Sequence, residues 1–205
     1  MATLPAITTT GGHTVLRETA VRQLQASLRG ELLLPSNDSY EETRKVWNGA
    51  IDKRPTLIAR CAGAADVIAA VTFAREHDLL VSVRGGGHSV AGKAVCNGGL
   101  MIDLARMKEI QTDPVTRTAR VEGGALLGDL DRATQVFGLA TTAGVVTHTG
   151  VAGLTLGGGV GRLAHKYGLA CDNLLSVDLV TAEGRVLKAS ATENTDLFWS
   201  NRGRS

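Results

Sequence analysis

The chain has 205 residues, of which 25 are glycine and four are proline, and its aromatic residues are three Phe, two Trp and two Tyr. A glycine excess without a Gly-X-Y period excludes collagen, and 43% hydrophobic residues with few prolines exclude a disordered chain of the proline- and glycine-rich type. The formal charge of +2 comes from 22 basic and 20 acidic residues without a block of one sign, which argues against nucleic acid as a partner.

Export, membrane and metal signals are missing from the sequence. The N-terminus lacks a basic start and an apolar core, and the most apolar stretch, 62–74, is short and interrupted by Asp66. The three cysteines, Cys61, Cys96 and Cys171, fit neither a disulfide framework nor a CxxC metal site. We therefore expect no membrane association, no metal, buried thiols at Cys96 and Cys171, and a reducing, cytoplasmic location.

The first 30 residues are expected to form an N-terminal arm and a helix, ahead of a main domain at 31–205. Residues 1–17 are polar and rich in Thr and Gly, which predicts a loose arm. From Glu18 to Gly30, apolar residues recur at helical spacing, and Gly30 is the expected C-cap. An extended piece, a turn and a short helix are predicted over residues 32–48.

A strand–helix–strand pattern follows within about 30 residues. Pro55–Arg60 predicts a short apolar strand, Ala64–His77 a helix, and Leu79–Val83 a second, buried strand. Such a unit has parallel strands and a right-handed crossover. It runs directly into Arg84.

The pattern then becomes mostly β. Strands are predicted at Leu100–Asp103 and Thr118–Val121, a hairpin at Ser176–Thr181 with Arg185–Ala189, a short helix at Leu127–Gln135, and a loop at Gly144–Gly161. The fold class is therefore α+β. A lobe containing the βαβ unit, up to about residue 110, is expected to pack on a more antiparallel lobe.

Three consecutive glycines, Gly85, Gly86 and Gly87, follow the second strand of the βαβ unit, between Arg84 and Ser89. Successive N–H groups without side chains can form a nest for phosphate or pyrophosphate. The alternative is a tight turn. Three glycines cost more conformational entropy than a turn requires, which favours anion binding.

A second glycine cluster holds six glycines in twelve residues: Gly150, Gly153, Gly157, Gly158, Gly159 and Gly161. It matches neither the dinucleotide fingerprint nor the Walker loop. The alternative is a flexible surface loop, but apolar residues such as Leu154 stand where flexible linkers use polar ones. Two separated clusters suggest a ligand long enough to touch both.

His88 directly follows the first glycine cluster, and its side chain can take part in a reaction. It could cap the turn, act as a general base, or attach an electrophilic cofactor covalently, and composition leaves these alternatives open. His148 is a weaker candidate, and His13, His77 and His165 are expected at the surface.

Six motifs in order resemble the FAD-binding domain of the p-cresol methylhydroxylase/vanillyl-alcohol oxidase superfamily, and within it the bacterial berberine bridge enzyme-like oxidoreductases. The resemblance covers residues 30–202. The motifs are RGGGHSVAG, NGGLMIDLARM, ARVEGGALLGDLDRAT, GVAGLTLGGGVGRLAHKYGLACDNL, VDLVTAEGRVL and NTDLFW.

The resemblance implies a two-lobed FAD-binding PCMH-type domain with FAD extended between the lobes. Arg84–Ser89 would hold the pyrophosphate, Gly150–Gly161 would line the diphosphate and flavin side, and the adenine contact would fall at Val186. His88 stands where the family's histidine is bonded to the methyl group of the flavin's benzenoid ring. Val146 replaces the cysteine of the bicovalent branch, so a second linkage is not expected.

The family pattern continues after FW with an Arg-Gly-Gly-Gly run and a substrate-binding domain, whereas this chain ends in FWSNRGRS. We expect a fragment that lacks the end of the flavin domain and is inactive alone, with the catalytic residues of the intact protein lying beyond Ser205. The intact protein would oxidise an alcohol, sugar or amine. The alternatives are a non-catalytic FAD- or nucleotide-binding remnant and a flavin reductase of the cell-wall precursor type, which His88 disfavours.

Overall fold

The computed structural model describes residues 3–203 and consists of two compact units. The first unit contains the residues up to 106 together with 180–186, and the second contains 107–179 and the residues from 187 onward. Short strands alternate with helices in both, so the α+β class is confirmed.

The secondary structure consists of short elements throughout residues 3–203. The strands are β1 (Thr3–Ile7), β2 (His13–Arg17), β3 (Glu31–Leu33), β4 (Leu57–Arg60), β5 (Val81–Arg84), β6 (Leu100–Asp103), β7 (Ile110–Asp113), β8 (Thr118–Val121), β9 (Ser176–Val180) and β10 (Val186–Ser190). The α-helices are α1 (Glu18–Ser27), α2 (Tyr40–Arg44), α3 (Ala64–Glu76), α4 (Leu127–Gln135), α5 (Val151–Leu156), α6 (Ala164–Tyr167) and α7 (Thr195–Ser200).

Residues 3–17 form a β-hairpin, so the prediction of a loose arm was wrong there. β1 pairs antiparallel with β2, and each strand buries one apolar side chain, Ala6 and Leu16. Ile7 continues the pairing: its N–H donates to the Gly98 carbonyl at 2.7 Å, and its carbonyl accepts from the Leu80 N–H at 2.9 Å. Threonine-rich polar segments form strands readily when a partner is available. Here β1 and β2 pair with each other, and Ile7 adds hydrogen bonds to residues more than 70 positions away.

Helix α1 confirms the helical spacing, with Val21 and Leu24 buried. Its last residue is Ser27 and its C-cap is Leu28, not the predicted Gly30. The Gly30 N–H donates to the buried Asp66 carboxylate at 2.9 Å, and a Cβ at Gly30 would lie 2.0 Å from the Arg60 carbonyl oxygen. The glycine is therefore required by its close approach to the β4 backbone.

The four-stranded sheet of the first unit has the order β3–β4–β6–β5. β4, β6 and β5 are parallel, and β3 is antiparallel to β4. The predicted strands and helix of the βαβ unit are confirmed, but β6 lies between the two strands. β5 is an edge strand with Val83 54% exposed, so the prediction of a buried strand was wrong. A short apolar run cannot by itself distinguish a central strand from an edge strand.

The core of this unit lies on both faces of β4 and β6. Their apolar side chains are fully buried, as expected for central strands of a parallel sheet. The main cluster joins them to Tyr40, whose hydroxyl donates to the Pro55 carbonyl at 2.6 Å. Helix α3 contributes Phe73 and Ala74 to the buried set.

The second unit contains the antiparallel pair of β7 with β8 and most of the β9–β10 pair, whose turn belongs to the first unit. Strand β8, helix α4 and the β9–β10 hairpin confirm their predictions, while β7 was not predicted. The predicted loop over Gly144–Gly161 contains helix α5, so that prediction was wrong in part. Apolar residues fill α5 between Gly150 at its N-cap and Gly157 at its C-cap.

Within residues 3–203, the structure contains no helix with the length and apolar character needed to cross a membrane.

Replacing Gly30 by Ala should lower the free energy of unfolding by about 1–3 kcal/mol, because the new methyl group must displace the β4 backbone. Urea unfolding followed by circular dichroism measures the change. Gly49→Ala is the matched control, since a Cβ there meets no atom within 4 Å. Equal midpoints for the two variants would contradict the close-approach explanation.

Candidate functional site

Three charged residues stand side by side at the carboxyl edge of the parallel sheet. Arg60, Asp103 and Arg84 are the last residues of β4, β6 and β5, and the register pairs Asp103 with each arginine. Asp103 is fully buried. In open sheets with parallel strands, ligands bind outside this edge.

The Asp103 carboxylate is held by both arginines and by the main chain. Arg84 donates from Nε to Oδ1 at 3.0 Å and from Nη2 to Oδ2 at 3.4 Å, and the Ala105 N–H donates to Oδ1 at 3.1 Å. Arg60 adds an ion pair at 3.6 Å. Two cations around a buried carboxylate offset part of its desolvation cost.

Arg84 also reaches away from the sheet. Its Nη1 donates to the Lys45 carbonyl at 3.0 Å and to the Thr43 carbonyl. The side chain therefore cross-links the sheet edge to the segment after α2. Its donors are engaged by protein groups, so anion binding at this point would fall to the main chain that follows.

The glycine turn offers such a main chain. Within residues 3–203, the N–H groups of Gly85, Gly86 and Gly87 donate no hydrogen bond. Gly87 is buried and has φ +73°, a conformation that favours glycine. Its carbonyl accepts from the Trp47 N–H at 3.1 Å, which fixes the turn while leaving the N–H groups available. The Ser89 hydroxyl oxygen accepts from the Lys93 N–H at 3.1 Å.

The His88 ring is half-buried and stacks on Trp47, with ring centroids 5.3 Å apart and an interplanar angle of 17°. The chain that follows Trp47 supports the rest of the loop. Asn48 Nδ2 donates to the Val90 carbonyl, and Lys53 Nζ donates to the Gly92 carbonyl, each at 2.9 Å. The loop that carries His88 is thus supported along its length by residues 47–53.

In the second glycine cluster, some glycines are required by a positive φ and others by the close approach of neighbouring atoms. Gly158 and Gly159 have φ +107° and +76°. A Cβ at Gly161 would lie 1.5 Å from the Ala143 carbonyl oxygen, whereas one at Gly153 would meet no atom within 4 Å. Leu154 packs where a Cβ at Gly159 would lie, which accounts for an apolar residue among the glycines.

This cluster also presents main-chain donors. In the described part of the chain, the N–H groups of Gly159, Val160 and Gly161 donate no hydrogen bond, and the Val160 side chain is 72% exposed. The Gly159 carbonyl is engaged, since it accepts from the Ala170 N–H at 2.9 Å. Three successive free N–H groups are the feature expected of an anion nest.

The remaining predicted residues lie in several places. Val186 is the first residue of β10 and is 55% exposed, and Val146 is 41% exposed. His13 and His165 are exposed, as predicted. His77 is half-buried and stacks on Phe73 at 4.2 Å, so its prediction as a surface residue was wrong: it packs at the end of α3.

The catalytic residues were expected beyond Ser205, the last residue of the chain. Ser205 itself lies outside the described residues, which end at Gly203. The placement of the catalytic residues therefore stays a prediction.

The cysteines are free and buried, which confirms the prediction for Cys96 and Cys171. Burial, aided by the charges of Asp66 and Asp103, raises the pKa of Cys61 to about 12. Burial also raises the pKa of Cys96. No group of three or more His, Cys, Asp or Glu side chains that could hold a metal ion occurs among residues 3–203.

Sequence reasoning missed two residues of this region, Asp103 and Trp47. Asp103 ends an apolar strand, where an acidic residue requires a buried partner, so a signal was present. Trp47 lies 41 positions before His88 and belongs to none of the motifs, so no sequence signal indicated its contact with His88.

The family follows from comparison with known proteins. The model of a family described as "FAD binding domain" matches residues 55–190, and the chain belongs to this family. (R)-6-hydroxynicotine oxidase of Paenarthrobacter nicotinovorans is 43% identical over 177 residues. Carbohydrate oxidase of Microdochium nivale is 38% identical over 174 residues.

Solved structures agree with this family. The fold resembles 6-hydroxy-D-nicotine oxidase from Arthrobacter nicotinovorans with a TM-score of 0.85 at 43% identity, over 86% of this chain and 39% of that one. It resembles Microdochium nivale carbohydrate oxidase, solved with a substrate analogue, with a TM-score of 0.83 at 35% identity, over 90% and 40% of the two chains. The chain spans about two fifths of the length of these relatives.

Replacing Arg84 by Leu should lower the free energy of unfolding by about 3 kcal/mol, because it removes the main partner of a buried carboxylate. Urea unfolding measures the loss. Arg120→Leu breaks an ion pair with Asp178 whose side chains are 75% and 46% exposed, and should cost much less. Equal losses would show that the Asp103 bridge has no special role.

The stability of the protein should fall above pH 9, in part because of Cys61. The unfolded thiol loses its proton near its ordinary pKa of 9.0, whereas the folded thiol keeps its proton up to about pH 12. The unfolded state therefore binds fewer protons in this interval, and the unfolding free energy falls by at most about 1.4 kcal/mol per pH unit. Urea unfolding between pH 8 and pH 11 should show a steeper fall than in Cys61→Ala; parallel slopes would contradict the pKa shift.

Proposed function

We propose that this chain supplies the FAD-binding portion of an oxidoreductase in which FAD is bonded covalently to His88. The proposed substrate is a small molecule oxidised at a carbon that bears oxygen or nitrogen, such as an alcohol, a sugar or an amine. The family match over residues 55–190 supports the cofactor. The names of the relatives, a hydroxynicotine oxidase and a carbohydrate oxidase, support the substrate class.

The position and support of His88 carry the proposal. The residue follows a glycine turn at the carboxyl edge of the parallel sheet, where ligands of such sheets bind. Its ring is half-buried and stacked on Trp47, so its orientation is limited before any cofactor binds. A histidine held in this way suits covalent attachment better than a mobile surface histidine does.

The main chain fits the phosphates of FAD. The N–H groups of Gly85, Gly86 and Gly87 form one set of donors, and those of Gly159, Val160 and Gly161 form another. Hydrogen bonds from main-chain N–H groups to an anionic oxygen are charge-assisted and stronger than neutral ones. We assign the first set to the diphosphate, with the exposed Val186 side chain against the adenine.

Attachment of FAD to His88 would be a two-electron oxidation. FAD, when bound, would supply the electron sink. His88 would supply the ring nitrogen for a bond to the flavin methyl carbon, and the methyl C–H proton, the imidazole N–H proton and the two electrons lost in forming that bond would reduce dioxygen to hydrogen peroxide. An electron-withdrawing link of this kind is expected to raise the flavin's potential. The tether also prevents loss of the cofactor.

The test is retention of flavin after denaturation. The chain is incubated with FAD in air and precipitated with acid, and the flavin fluorescence of the washed pellet is measured. We expect flavin in the wild-type pellet and none in His88→Ala. His13→Ala is the control, because His13 is an exposed histidine of the N-terminal hairpin.

Two results would contradict the covalent attachment. One is a wild-type pellet free of flavin, with all of the cofactor in the supernatant. The other is a His88→Ala pellet that retains as much flavin as the wild type does.

A further inference from the structure

We propose that Trp47 is a positioning residue for His88, and that the Arg84–Asp103 bridge holds Trp47 in place. Trp47 fixes the plane of the imidazole for bond formation to the flavin. The inference rests on the proposed function, since it assigns a residue that assists the tether. Trp47 itself forms no bond to the cofactor in this scheme.

Trp47 contacts two successive residues of the loop by two independent interactions. Its main-chain N–H donates to the Gly87 carbonyl at 3.1 Å, and its indole ring stacks on the His88 ring at 5.3 Å and 17°. The first interaction fixes the backbone at the residue before His88. The second restricts rotation of the imidazole about its χ2 torsion.

The segment that carries Trp47 is anchored on its N-terminal side by a buried charge. The Arg84 guanidinium is held by the fully buried Asp103 and donates to the carbonyls of Thr43 and Lys45. Lys45 is two residues before Trp47. A guanidinium paired with a fully buried carboxylate is a rigid anchor, because moving it would leave Asp103 with an uncompensated charge.

The same segment is anchored on its C-terminal side by the loop itself. Asn48 donates to the Val90 carbonyl, and a Cβ at Gly92 would lie 2.8 Å from the Ile51 side chain. The loop and the supporting segment therefore fit closely on both sides of the stacked rings. A shift of Trp47 would disturb both His88 and the glycine turn before it.

Stacking helps bond formation in two ways. The imidazole nitrogen must point its lone pair at the methyl carbon, and misplacement by about 1 Å can cost roughly 100-fold in rate. In addition, positive charge develops on the imidazole as the new bond forms and before the ring N–H proton leaves. The face of an indole ring attracts such a charge.

The key variant is Trp47→Leu, which removes the aromatic face but keeps the main-chain hydrogen bond to Gly87. Trp47 is 60% exposed, so the substitution leaves the core intact. Trp47→Phe restores a ring. Trp199→Leu is the matched control, because Trp199 is 55% exposed and belongs to the other compact unit.

Two readouts are combined. The first is the time course of acid-stable flavin after FAD is added to each full-length variant. The second is the NMR signal of the His88 ring protons in the cofactor-free protein, with histidine labelled by carbon-13 and His88→Ala used for assignment. The ring current of a stacked indole moves these protons upfield.

We expect Trp47→Leu to lose the upfield shift and to attach flavin roughly 10- to 100-fold more slowly, with Trp47→Phe close to wild type and Trp199→Leu unchanged. An upfield shift in the wild type with an unchanged attachment rate in Trp47→Leu would overturn the positioning role and leave the tether intact. If the wild type retains no acid-stable flavin, the tether itself fails, and the positioning role fails with it.

Discussion

The first unit depends on one buried carboxylate, that of Asp103 at the end of the central strand. A charge taken out of water is tolerated only with well-placed partners, and Arg60 and Arg84 provide them from the strands on either side. Because both partners are the terminal residues of their strands, the ion pairs and the strand register support each other. The loops that leave this edge therefore start from fixed points, and the loop that carries His88 is one of them.

The ion pair with Asp103 determines which groups could bind an anion at the sheet edge. An arginine beside a glycine turn resembles a side chain for phosphate, but Arg84 is engaged with Asp103 and with two main-chain carbonyls. The three glycines after it have N–H groups that donate no hydrogen bond within residues 3–203. Anion recognition by N–H groups needs a close approach of the backbone, and side chains would prevent that approach. Arg84 thus fixes the position of the turn, and the glycines provide the N–H donors.

The features that local pattern determines were predicted from the sequence. The apolar strands β4 and β6, the helices α1, α3 and α4, and the β9–β10 hairpin follow from periodicity within a few residues. The failures involve contacts with residues elsewhere in the chain: Ile7 of the hairpin hydrogen-bonds to Gly98 and Leu80, and the place of β6 between β4 and β5 depends on the whole sheet. At the site, motifs identified His88 and the glycines. Trp47 contacts His88 across 41 residues, and no local pattern indicates that contact. An acidic residue at the end of an apolar strand was a signal for Asp103, but it did not identify its partner Arg84, 19 residues earlier.

The glycines at the two ends of the His88 loop bear on the cofactor attachment proposed for it. Gly87 and Gly92 have φ +73° and +68°, so the loop begins and ends at a conformation that favours glycine. The conformational entropy of such a loop would make it mobile if it were unsupported. Here Trp47, Asn48 and Lys53 contact it at successive points, so much of that entropy is lost on folding rather than on cofactor binding. In the proposed attachment, a preorganised loop would lower the cost of ordering the histidine. The Arg84–Asp103 ion pair and the Trp47–His88 stack therefore act together in this proposal. The ion pair holds in place the segment and the loop whose side chains form the stack.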